Sequence, residues 1–200
     1  MSSLINEESE YYSQVFASLD LSDQELVSKE FEDCTFKECN FSSAILRSCK
    51  FIDCHFAKCN LSNAKLAYSR FNEVVFDECK MIGVDWTRAY WPNLTLSAPI
   101  KFTQCILNDS SFFGLGLDEM VIEGCKAHDV DFREGKFKGA DFSYTDFSNS
   151  LFNNTNLSAA DFTEASNYSI DIHSNAIRGA KFSRSEAVSL LDSLGIELVD

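Results

Sequence analysis

The chain repeats a pattern every five residues. Stepping by five from Phe16 gives Phe16, Leu21, Leu26, Phe31, Phe36, Phe41, Leu46, Phe51, Phe56, Leu61, Leu66, Phe71, Phe76, Met81, Trp86, Trp91 and Leu96, all large and apolar. One extra residue enters within SAPIK, near residues 97 to 101, and the count resumes at Phe102. From there it runs through Leu107, Phe112, Leu117, Ile122, Ala127, Phe132, Phe137, Phe142, Phe147, Phe152, Leu157, Phe162, Asn167, Ile172 and Ile177 to Phe182, with only Ala127 and Asn167 departing. Of the 18 phenylalanines, Phe113 alone is off this register. A period of five matches neither the 3.6 of a helix nor the 2.0 of a strand, so the chain must turn a corner every five residues.

The position two before each large residue is also selected. All eight cysteines fall there, interchangeably with Ala, Ser, Val and Thr. In FEDCTFKECNF, residues 31 to 41, Cys34 and Cys39 are five apart, whereas zinc ligands pair at shorter intervals. The thiols are therefore read as small buried side chains. With a large and a small residue inward and three outward, four sides close a square coil of twenty residues, and coils stack at about 4.8 Å. The sequence thus predicts an all-β solenoid on the order of 40 Å long. Its cysteines would stack as Cys39, Cys59 and Cys79 on one side, Cys34 and Cys54 on a second, and Cys105 over Cys125 on a third.

Three segments follow: an N-terminal cap over 1–15, the solenoid over 16–183, and a C-terminal helix with its tail over 184–200. Gln24 and Lys29 stand where small inward residues are expected, which marks the capped end. Trp86 and Trp91 precede both prolines, Pro92 and Pro99, and predict a local swelling and bend. Beyond Phe182, Ser183 and Glu186 read as a capping box and Gly195 as a helix stop. Ala187, Leu190, Leu191 and Leu194 share one face of that helix, followed by Ile196 and Leu198. Two readings fit: a lid on the last coil, or a lid whose surplus apolar surface joins two copies.

The formal net charge is -14, which argues against direct binding to nucleic acid or an anionic membrane. The acidity is regional. Residues 1 to 33 carry nine acids against one base, 34 to 108 carry six against nine, and 109 to 171 carry twelve against four. The last of these regions supplies the candidate interaction surface: Asp109, Asp118, Glu119, Glu123, Asp129, Asp131, Glu134, Asp141, Asp146, Asp161 and Glu164.

Other signals are weak. The N-terminus lacks a basic and then apolar leader, and no run of about 18 apolar residues occurs, so a cytosolic location with free thiols is the expectation. The sequons at 40–42, 60–62 and 156–158 arise from the repeat itself, and GLG at 114–116 lacks the setting of a phosphate loop. His55, His128 and His173 are outward and scattered, and no nucleophile, base and acid assemble, so neither an enzyme nor a cofactor is expected.

The alternation of Ala/Cys/Ser, polar, Leu/Phe, polar, polar from Phe16 to Phe182 resembles the pentapeptide-repeat proteins. That resemblance implies a right-handed quadrilateral β-helix. FEDCTFKECNF, ILNDSSFFGL (106–115) and above all NYSIDIHSNAIRGAKFSRSEAVSLLDSLGIELVD are similar to the topoisomerase-protecting members: the albicidin-immunity, microcin-immunity and quinolone-resistance proteins. In that group a short C-terminal α-helix, here Ser185 to Leu194, forms a homodimer, and the dimer mimics DNA and binds DNA gyrase or topoisomerase IV. The unbroken period leaves no projecting loops, which favours the toxin-immunity type. The competing expectation is a structural scaffold of the broader superfamily with an unrelated partner.

Overall fold

A computed structural model describes residues 5, 8–92, 100–197 and 199. The chain winds as a right-handed square coil whose strands pair in parallel with the strands twenty residues away. Among the described residues there are fourteen short strands, mostly of three residues, from Glu10–Tyr12 to Lys181–Phe182. The largest sheet runs Val15–Ala17, Thr35–Lys37, His55–Ala57, Val74–Asp77, Ile100–Thr103 and Val121–Glu123 up one side. Each three-residue strand keeps its central residue inside and its neighbours outside. In-register stacking therefore places like on like: Phe16, Phe36, Phe56, Phe76, Phe102, Ile122, Phe142, Phe162 and Phe182 form one continuous column. Rings in this column stack 4.5 Å apart at Phe36–Phe56 and meet the adjacent column edge-on, as at Phe31–Phe36. Both geometries are favoured by the ring quadrupole.

The corners have a conformational signature. Among the described residues twenty-five non-glycine residues have positive φ, and all but Asn167 lie two places after an inward residue of the five-residue register, which for Asp129 is the small Ala127. Gly83, Gly114, Gly124, Gly139 and Gly179 occupy the same place. The left-handed region costs an L-residue roughly 1–2 kcal/mol. What holds it is the stack: the corner N–H donates to the next coil, as Ser48 N does to Ala67 O at 2.8 Å.

The inward small position does more than fill space. Cys39 N–H donates to Cys59 Sγ, Cys59 N–H to Cys79 Sγ, Cys79 N–H to Cys105 Sγ and Cys105 N–H to Cys125 Sγ, at 3.2–3.4 Å. Each thiol also donates to a carbonyl, as Cys79 does to Phe56 O. Ser69, Ser110, Ser150 and Thr145 take the same role with their hydroxyls. All eight cysteines are buried and unpaired with one another.

Four expectations need correction. Cys105 and Cys125 continue the column of Cys39, Cys59 and Cys79 instead of starting a third one. The cause is the break: Val75 pairs with Lys101 and Lys80 with Ile106, 26 residues on, so the coil holds six extra residues. A count in fives sees only the remainder, one. Phe102, not Leu96, thus sits over Phe76, and the period is not free of insertions. Leu96 and Pro99 lie outside the described residues.

The solenoid also starts earlier than residue 16. Tyr11 is inward and stacks on Phe31 at 5.0 Å, with Ile5 buried beneath the first coil. Near the other end Tyr168 and Ile170 turn inward while Asn167 is exposed and bonds Asp146, because Ile170 pairs with Phe152 at a spacing of 18. Finally, the C-terminal helix Glu186–Leu194 is 3₁₀ in character, not α. No capping box forms: Ser183 Oγ is engaged with Glu164, and Ser185 is the N-cap without a side-chain bond. Gly195 does end the helix, in the left-handed region at φ 64°.

Candidate functional site: an acidic rod and an uncovered end

The repeat places each candidate carboxylate either beside a large inward residue or at a corner. Asp131, Asp141, Asp146 and Asp161 each precede an inward phenylalanine, whereas Asp109, Glu119, Asp129, Glu134 and Glu164 are corner residues with positive φ. Four sides of the rod share these carboxylates. Asp109 and Asp129 occupy the same corner of successive coils, with Asp109 N–H bonded to His128 O. Asp141 and Asp161 are direct bridge partners on another side.

The carboxylates divide by what they touch. Arg133 grips Asp131 through two nitrogens at 2.8 and 2.9 Å, and Lys181 pairs with Asp161 at 2.8 Å. The Arg133 guanidinium holds Asp131 below its usual range, with burial opposing. Burial pushes Asp146 up, but bonds from Asn167, Ser148 and His128 outweigh it and hold that carboxyl well below the ordinary range. Asp118 accepts from Lys138 N–H, Asp141 from Ser143, and Glu164 from Ser183. Among the described residues Asp109, Glu119, Glu123, Asp129 and Glu134 make no side-chain hydrogen bond or ion pair. The Asp131–Arg133 pair is local, but the sequence could not show the partners that lie about one coil away, such as Lys181 for Asp161 and Lys138 N–H for Asp118.

At the C-terminal end the 3₁₀ helix covers the last coil through Leu190, which packs against the core. Ala187 and Leu191 are half-buried beside it. Leu194, Ile196, Val188 and Val199 are exposed, and Leu198 lies outside the described residues. Val188 was missed in the sequence because the predicted α-helical face does not survive in a 3₁₀ winding, where side chains three apart eclipse, and Val199 lies in the tail beyond the helix.

Among the described residues no group of three or more His, Cys, Asp or Glu side chains is placed to hold a metal ion. Nor is any helix long and apolar enough to cross a membrane. Burial pushes the Cys54 thiol up to about 12, and the contact with Cys105, helped by burial and opposed by Cys59, raises Cys79 likewise. Neither thiol is a nucleophile at neutral pH.

A family model described as "Pentapeptide repeat region" matches residues 29–98 and 84–162. The chain belongs to the pentapeptide-repeat family. No curated protein matches the sequence. Among solved structures, a trypsin-treated variant of QnrB1, a plasmid-mediated fluoroquinolone resistance protein, is 24% identical with a TM-score of 0.63. That match covers 96% of this chain and 92% of the other. Full-length QnrB1 is similar at 24% identity and TM-score 0.52, covering 94% and 90%. At this identity the likeness establishes the pentapeptide-repeat fold and no more.

Proposed function

We propose that this pentapeptide-repeat protein is a non-enzymatic DNA mimic. It occupies the DNA-binding surface of DNA gyrase or topoisomerase IV and protects that enzyme from a poison, either an albicidin-like toxin or a quinolone. The observation that carries the reading is linear charge density. Residues 109 to 171 have a net charge of -8 and wind about three coils, or roughly 15 Å at the spacing of stacked strands. That is about one negative charge per 1.9 Å of axis, close to the value of about 1.7 Å for double-stranded DNA. A cationic groove shaped for DNA meets a similar field here, with carboxylates in place of phosphates.

The five carboxylates with no local partner are the ones free to meet lysines and arginines of another protein. Two copies joined by the exposed Val188, Leu194 and Ile196, beside the half-buried Ala187, Leu190 and Leu191, would set two acidic segments on either side of a two-fold axis. The location we infer is cytosolic, in keeping with eight unpaired thiols.

The test is a gyrase supercoiling titration run with the protein alone, with albicidin and with a fluoroquinolone. Restored supercoiling against one poison is expected, weakening as salt rises. A variant with D109N, E119Q, E123Q, D129N and E134Q should lose that protection while remaining folded. Full protection by this variant would sink the electrostatic mechanism. No effect of the native protein in any arm would favour the scaffold reading, which the net +3 of residues 34 to 108 also suits.

A further inference from the structure

One surface of the rod is neither acidic nor smooth. Beside the insertion, a groove of about 510 Å³ is walled by Tyr68, Tyr90 and Trp91, floored by alanines and Leu115, and edged by Thr87 and Arg88. No carboxylate lines it. Its size is in the range of small-ligand sites, which are mostly apolar with a few placed polar groups. Tyr68 is 73% exposed and Tyr90 46%, so two large aromatic side chains of the groove stand in solvent.

The walls are held in place. Tyr68 sits at a left-handed corner, φ 59°, where a bulky residue is unusual and strained. Arg70 lies over the Tyr90 ring at 4.2 Å and fixes it upright. The Trp91 indole N–H donates to Trp86 O at 2.9 Å, which anchors its ring against the fully buried Trp86. Arg88 touches Asp85 through Nε alone, at 3.2 Å. Among the described residues neither of its terminal nitrogens has a partner, which leaves the fork that matches a carboxylate.

We infer that this groove is a binding site for a planar aromatic carboxylate. The rings of such a ligand would stack among Tyr68, Tyr90 and Trp91, and its carboxylate would pair with the free fork of Arg88. The site stands apart from the acidic surface and does not depend on the topoisomerase reading.

The experiment is a titration of the full-length protein with 2-naphthoate at about 0.15 M salt, where the field of the distant acids is screened beyond about 8 Å. The readout is the ¹H–¹⁵N cross-peaks of the indoles, of which the chain has two, Trp86 and Trp91. The Trp91 peak should move saturably while that of buried Trp86 stays in place and reports an intact fold. Neutral 2-naphthylmethanol should bind on the order of tenfold more weakly, and Arg88→Ala should weaken 2-naphthoate by a similar factor, since the lost bond is charge-assisted. Tyr90→Ala should weaken both probes. Absence of a saturable Trp91 shift, equal binding of acid and alcohol, or undiminished binding by Arg88→Ala would each overturn the assignment.

Discussion

Replacing Cys79 separates two roles that size alone cannot. In the structure its Sγ accepts from Cys59 N–H at 3.3 Å and donates to the carbonyls of Phe56 and Asp77. Cys79→Ala removes the acceptor and leaves the Cys59 amide buried without its partner, which costs roughly 1–3 kcal/mol. The lost sulfur adds about 0.8 kcal/mol, taking one buried methylene as its equivalent. The total is about 3 kcal/mol. Cys79→Ser keeps a donor and an acceptor in place, as Ser69 does with Cys49 N–H at 3.0 Å and Leu46 O at 2.8 Å. Its cost should stay within about 1 kcal/mol. Urea denaturation gives the two stabilities, and hydrogen exchange of the Cys59 amide gives the local effect. Equal losses for Ala and Ser, with Cys59 exchange unchanged, would show that the thiol acts by volume only.

Other perturbations read other parts of the molecule. Gly135→Ala places a Cβ 2.3 Å from the Phe137 ring and 3.0 Å from Phe132 O, so overpacking should cost about 1–3 kcal/mol in the same denaturation assay. Asp146 has a folded pKa depressed below its ordinary value of 3.8, so its contribution is present above that pH and is lost as pH falls through the folded value. The stability gap between the native protein and Asp146→Asn, followed by urea titration, should therefore be largest near neutrality and shrink below pH 3.8. Val188→Asp with Leu194→Asp should give monomers by light scattering. A dimer mass for that variant would refute the proposed two-fold contact. Leu190 is a poor choice for this test because it packs on the last coil of its own chain.

How much of this was legible in the sequence follows from what a period can carry. In-register stacking makes every inward phenylalanine visible, since Phe31, Phe51 and Phe71 must be alike to stack. It also makes Tyr11 readable, one step before Phe16 on the same register. The corner signal was equally present: five of the eight glycines fall two places after the large residue, among Asp, Asn and Ser that tolerate the left-handed region. What a count in fives loses is any insertion of a whole pentad. Six residues and one residue leave the same remainder, and only the pairing of Val75 with Lys101 tells them apart.

The acidic surface was legible as a charge sum and not as a surface. The sum is robust because a twenty-residue coil turns any segment of sixty residues into a three-coil band, whatever its details. Which carboxylates remain available depends on local partners, as Arg133 for Asp131, and also on neighbours one coil away, as Lys181 for Asp161, while Glu123 has no side-chain partner among the described residues. Neutralising the paired set, Asp131 and Asp161, removes charges already matched by Arg133 and Lys181. Neutralising Asp109 and Asp129 instead removes unmatched charge from adjacent rungs about 4.8 Å apart. If long-range attraction to a cationic groove is what the rod supplies, D109N with D129N should slow association with the topoisomerase, and this slowing should fade at high salt. The pair D131N with D161N leaves Arg133 and Lys181 unopposed, so it alters the net field equally. Equal slowing by both pairs in stopped-flow binding would mean that only total charge matters. A larger effect at Asp109 and Asp129 would locate the contact on their shared corner.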